Sequence, residues 1–182
     1  MPSRPTINPA VPLPPASPRA RDTRLESEGA EFLVLGSLLI EGIAAWKAYS
    51  NFPGYDVLAG DIAKQRICRI QVKSRYATGD AGFPISNFDC DFVCFVRLNR
   101  GSRSYLRRSA DGGSLPGELD DGRLAPEIFV LPKRIVRKAW IPGAPWGRGG
   151  VLLKNIHRPE RYLNAWERVN DFLAAPPRNR PR

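Results

Sequence analysis

The stretch Tyr55-Asp56-Val57-Leu58-Ala59, followed after a short connection by Ile67-Cys68-Arg69-Ile70-Gln71-Val72-Lys73-Ser74, reads as two neighbouring β-strands. Residues i and i+2 of a strand share a face. Gln71 and Lys73 are therefore expected to look out together, with Ile70 and Val72 on the other side. If the two strands pair as a hairpin, Asp56 reaches the same patch. A carboxylate, an amide oxygen and a lysine converging on one spot suit a divalent cation held against a phosphate.

Working upstream, Thr23-Arg24-Leu25-Glu26 has the form of a capping box, with Ser27 as a second start. Phe32, Leu35, Leu38 and Leu39 make an apolar stripe at helical period, and Gly42 stands where a left-handed C-cap belongs. These signals predict a helix from about 24 to 41. Ile43–Tyr49 is a short strand candidate, and Asn51-Phe52-Pro53-Gly54 a turn. Glu31 shares a helix face with Leu35 and Leu38, so it leans toward the sheet; Glu28 is the alternative one turn earlier.

Downstream, residues 75–88 are read as loop with at most one helical turn. Phe92-Val93-Cys94-Phe95-Val96 is apolar on both faces and so predicts a central strand. Residues 99–124 predict a surface loop or ribbon, and 127–131 a strand stopped by Pro132. Residues 133–138 predict one or two helical turns, and 141–150 a loop. Pro159 opens a last helix, about 159–174, with an apolar face of Tyr162, Ala165, Trp166, Val169, Phe172 and Leu173. The expected fold is α/β of the α+β sandwich kind, a mixed central sheet flanked by helices. It is one domain over 23–175, with a core at 26–131, between disordered basic tails at 1–22 and 176–182.

Composition bounds the function. The chain has 182 residues, 42% of them apolar, and a formal charge of +10. Residues 1–24 carry +3 and the last seven another +3, so the body keeps +4. Seven of the 18 prolines precede residue 24. Basic ends favour polyanions without reading sequence, or simply keep the chain soluble. No apolar run is long enough to span a bilayer, and no signal or transit segment is evident. The expected location is the cytoplasm, with no membrane partner. Cys68, Cys90 and Cys94 form no C-x-x-C pair and are expected to be buried free thiols.

Helix with Glu31, then Pro53-Gly54-Tyr55-Asp56 opening a strand, then Gln71-Val72-Lys73 on the next, resembles the PD-(D/E)XK nuclease superfamily. That is the restriction-endonuclease-like fold of restriction enzymes, Holliday-junction resolvases and certain homing endonucleases. Residues 26–98 carry the resemblance, and 127–131 would add an edge strand. It implies a Mg²⁺- or Mn²⁺-dependent nuclease acting on DNA, including branched DNA. Asp56 would be the metal aspartate, Gln71 the variable acidic position, Lys73 the motif lysine and Glu31 the helix acid. The Val72 carbonyl would be a further ligand. The Gln-Val-Lys phrase is similar to a subgroup with Gln in place of the usual acid, and that substitution removes one anionic ligand. Resolvase-like members act on symmetric substrates as homodimers.

Lys64, Arg66, Arg69 and Arg75 lie close to the site and could hold phosphates. Each residue also has a plainer reading. Asp56 could cap its turn, Gln71 and Lys73 could be a solvated strand face, and Glu31 could pair with a basic neighbour. His157 lacks a nucleophile motif around it, and Trp140 and Trp146 suit an apolar edge as well as base stacking. The alternative at the level of function is a catalytically inactive nuclease-fold module that binds nucleic acid or a protein partner. A third reading is an α/β domain with no nucleic-acid role.

Overall fold

A computed structural model describes residues 23–48, 54–61, 66–79, 82–101, 124–143 and 147–176. The readings of the two tails, of the turn at 51–53, of the connection at 62–65, of most of the loop at 99–124 and of Trp146 lie outside the described residues.

Helix α1 runs Arg24–Ile40. Its start has no side-chain cap, so the expected capping box is not formed; Thr23 contributes only its carbonyl, which accepts from the Ser27 N–H at 3.0 Å. Its end is as expected. Gly42 adopts φ +73° and its N–H donates to Leu39 O, while the Ile43 N–H donates to Leu38 O. Those two reversed bonds satisfy carbonyls that a helix end otherwise leaves open.

The buried stripe of α1 is Ala30, Val34 and Leu38; of the predicted stripe, Leu38 is buried and Leu35 packs partly against the core. Phe32 and Leu39 are about half exposed, at 49% and 53%. Residues 30–40 are apolar almost all round, so periodicity alone could not choose the face. Small Ala30 lets the helix lie close on the sheet.

Among the described residues eight strands follow: β1 Ala45–Lys47, β2 Val57–Asp61, β3 Arg66–Arg75, β4 Gly82–Pro84, β5 Phe92–Arg97, β6 Glu127–Pro132, β7 Trp140–Ile141 and β8 Gly150–Leu152. The described residues also form two further α-helices, α2 Lys133–Ala139 and α3 Glu167–Ala174. The main sheet is five-stranded and mixed, in the order β1-β2-β3-β5-β6. β2 and β3 form the expected antiparallel pair, and β3 and β5 run parallel. A parallel neighbour needs a crossover, and here the crossing chain contains β4. That strand joins β8 and β7 in a second, three-stranded sheet. The loop readings at 75–88 and 141–150 therefore missed three short strands. Gly82-Phe83-Pro84 and Gly150-Val151-Leu152 carry no alternating pattern, and their pairing comes from tertiary contacts.

β5 is central as predicted, since both its faces are buried. Phe92, Cys94 and Val96 enter a core with Val34, Leu38, Ile70, Trp166 and Val169, under α1 and α3. Val93 and Phe95 enter the core on the opposite face, with Phe83, Leu131, Val136 and Val151.

The expected last helix is broken. Pro159–Tyr162 is a 3₁₀ turn, Asn164 has φ +48°, and α3 starts only at Glu167. The break has a visible cause: Leu163 bridges to Phe129, and the Asn164 N–H donates to Ile128 O at 2.8 Å. Bonding to the edge of β6 replaces the continuation of the helix.

Candidate active site

The turn before β2 ends at Gly54, with φ +109°. A Cβ there would lie 3.0 Å from the Asp89 Cβ, so both backbone and space require glycine. Two residues on, the Asp56 N–H donates to Ile70 O and the Asp56 carbonyl accepts from the Ala48 N–H, both at 2.9 Å. The β2–β3 ladder ends at the pair Val57–Ile70. Beyond it, the Asp56 carboxylate takes over: Oδ2 accepts from the Val72 N–H at 2.6 Å. The N–H and C=O of one strand residue leave by the same edge. The Val72 carbonyl therefore faces the same gap as Asp56.

One step past the last ladder pair, Asp56 stands across from Gln71. Gln71 and Lys73 do share a face, as expected, but it is not a solvent face. In the parallel register they align with Val93 and Phe95 of β5, which belong to the second core. Gln71 is only 7% exposed, and its Oε1 is buried with no hydrogen-bond partner among the described residues. An orphaned buried oxygen costs roughly 1–3 kcal/mol and demands an explanation. Lys73 is half-buried and lines a cavity of about 190 Å³ with Ser27, Ser74, Phe83 and Pro84. Among the described residues no carboxylate is within ion-pairing distance of it.

Glu31 lies on the other face, where α1 covers the sheet. Its Oε2 is 3.0 Å from the Lys47 ammonium, which also bonds Glu28 Oε1. Glu28 and Glu31 are three apart on one helix, hence neighbours. Lys47 sits opposite Val57 in the β1–β2 pair, next to the start of β2. Its side chain is 7% exposed, and its ammonium lies 4.9 Å from the centre of the Phe32 ring. Burial opposes the Lys47 charge, but the hydrogen bonds to Glu28 and Glu31 outweigh it and hold its pKa above the usual value. Burial pushes Glu31 upward; the nearby Asp56 charge adds to this and Lys47 opposes it. The two carboxylates thus feel each other. Lys47 was not singled out in the sequence, where 43–49 read only as a short strand candidate. Its position two residues after Ala45, on the strand face that meets α1, was the available signal.

The donor set consists of hard oxygens: the Asp56 carboxylate, the Val72 carbonyl, the orphaned Gln71 Oε1, and Glu31 nearby. That chemistry fits Mg²⁺ or Mn²⁺. No group of three or more His, Cys, Asp or Glu side chains suited to a metal occurs among the described residues. A cation here would depend on neutral oxygens as much as on charge.

The expected phosphate-binding residues divide. Arg69 is tied down: its N–H and Nε both bond Asp91 Oδ2, and Nη1 bonds Asp89. Arg66 lies over the Phe172 ring at 5.1 Å. Arg75 aligns with Arg97, which pairs with Glu127, and the Arg75 Nε is buried without a partner among the described residues. Lys64 lies outside the described residues. His157 is exposed. Cys68, Cys90 and Cys94 are buried free thiols, as expected. Trp140 is 36% exposed, with its Nε1 donating to Ile85 O at 2.9 Å.

A search of family models finds no match to this chain, and a search of curated proteins finds none either. Among solved structures, the bacterial homing endonuclease I-Ssp6803I is similar to it. The two share 16% identity over 82% of this chain and 93% of that one, with a TM-score of 0.48.

Proposed function

We propose that this protein is a metal-dependent nuclease with a restriction-endonuclease-like core, hydrolysing phosphodiester bonds in DNA at a site made of Asp56, Gln71, Lys73 and Glu31. One observation carries the reading: the Asp56 carboxylate is fixed on the Val72 N–H, across from a buried Gln71 oxygen that has no partner among the described residues. Asp56, Gln71 Oε1 and the Val72 carbonyl would hold Mg²⁺ or Mn²⁺, with Glu31 as the second carboxylate. A bound dication supplies charge neutralisation at the phosphate and a more acidic water. Lys73, half-buried beside its cavity, orients the attacking water and offsets charge on a phosphate oxygen. Asp56 is held by a backbone bond, so its position costs no reorganisation during reaction. No described helix is long and apolar enough to cross a membrane; we place the activity in the cytoplasm.

The test is incubation of supercoiled plasmid and of branched DNA with Mg²⁺ or Mn²⁺. The wild type is expected to cut, with Asp56→Ala and Lys73→Ala each slower by about 10²-fold or more. Cleavage that survives both substitutions overturns the site.

Lys47 favours a second reading. Its ammonium already bonds both Glu31 and Glu28 and offsets one of their two charges, so each acid on that face of α1 is engaged before any cation arrives. A catalytically silent nuclease-fold module that binds DNA would look like this. It predicts salt-sensitive DNA binding and no cutting in either metal.

A further inference from the structure

Lys47 also has a consequence for an active site. Glu28 and Glu31 share one ammonium, that of Lys47, which sits opposite Val57 at the start of β2, and the Asp56 charge reaches Glu31. That ammonium is 7% exposed and bonds both helix acids. Gln71, one step past the last β2–β3 pair and so across from Asp56, carries a buried oxygen that no described group satisfies. We infer that Lys47 is a built-in cation: it offsets one carboxylate charge beside the metal position and so sets how tightly the site takes a divalent ion. This rests on the reading of Asp56 and Gln71 as metal ligands. With Lys47 in place, the group carries a net charge of minus two. Without it, the same carboxylates present minus three to an incoming dication. Weak divalent binding in the free protein then follows from Lys47 as well as from the neutral Gln71.

The experiment measures Mn²⁺ binding to the full chain, by calorimetry or by the electron paramagnetic resonance of free Mn²⁺, without DNA. Lys47→Met is expected to bind Mn²⁺ about tenfold tighter or more, as one added negative charge near a dication requires. Lys47→Arg keeps the charge and stays within about threefold of wild type. The double variant Lys47→Met, Glu28→Gln restores the net charge without touching a proposed ligand and returns to wild-type affinity. If Lys47→Met does not fold by circular dichroism, Lys47→Gln carries the same expectation, because its amide can still bond both acids. A folded Lys47→Met or Lys47→Gln with unchanged or weaker affinity overturns the inference. Asp56→Asn separates the two levels. If it abolishes binding in every background while the Lys47 variants show no gain, only the Lys47 inference fails. If the gain persists in Asp56→Asn, the site is not centred on Asp56 and the functional reading itself fails.

Discussion

Asp56 has two jobs that a single substitution would confuse. Its Oδ2 finishes the β3 edge where β2 has ended, and in the proposed site its charge would make it the leading metal ligand. Asp56→Ala leaves the Val72 N–H unpaired and is expected to cost about 1–3 kcal/mol of stability. Asp56→Asn keeps an acceptor oxygen and is expected to stay within about 1 kcal/mol of wild type. Denaturant midpoints of the two variants check this; equal losses would show that the bond to Val72 contributes nothing. In the sequence Asp56 was legible as a key acid but not as a strand-edge cap, because that role needs the register. Gln71 was expected at the site from its place beside Lys73, but its burial was not legible, since it depends on the second core covering that face. Cys90 offers a pH test. Burial pushes its thiol from 9.0 up to about 11. Between those values the unfolded chain has lost the proton that the folded chain keeps, so stability falls as pH rises through that range and is intact below it. Cys90→Ala removes this contribution, so wild type is expected to lose stability relative to the variant between pH 9 and pH 11 in urea titrations.

At the scale of elements, the sequence spoke most clearly where one residue has one physical use. Gly42 marked the end of α1 because only a residue at ease with positive φ closes that helix. β5 announced itself by being apolar on both faces. The short strands β4, β7 and β8 did not, and Gly149 shows why. It sits at φ +82°, and a Cβ on it would lie 2.4 Å from the Trp140 ring. What joins β7 to β8 is therefore a close approach of backbone to an indole, which no local pattern encodes. Gly149→Ala combines a positive-φ penalty with a rigid clash. It is expected to destabilise the protein by about 2–4 kcal/mol. Loss of Trp140 fluorescence blue-shift would accompany this, as the indole leaves its bond to Ile85. An unchanged melting temperature would mean that the small sheet adjusts freely. The last helix failed in the opposite sense: a sound apolar face at 162–173 was overridden by the docking of Leu163 and Asn164 on β6.

Across the described residues, the main sheet carries a core on each face, and β2 begins late where β3 runs on. The two faces of the sheet supply different groups there. The α1 face brings Glu28, Glu31 and Lys47; the opposite face brings Gln71 and Lys73; Asp56 lies in the plane between them. The reading from sequence placed four side chains on one patch, whereas the fold reaches the gap from both sides. Much of the net charge lies at the chain ends, and Arg69 is bound by two aspartates, so the described body holds few free cations near the site. Cleavage would then depend on local groups rather than on a broad basic surface. The most direct measurement is anomalous diffraction from crystals grown with Mn²⁺. The account predicts a peak at about 2.0–2.5 Å from an Asp56 oxygen and from Gln71 Oε1, with the Val72 carbonyl in the same shell. A peak that lies only among Glu28, Glu31 and displaced Lys47, or no peak at saturating Mn²⁺, would contradict it.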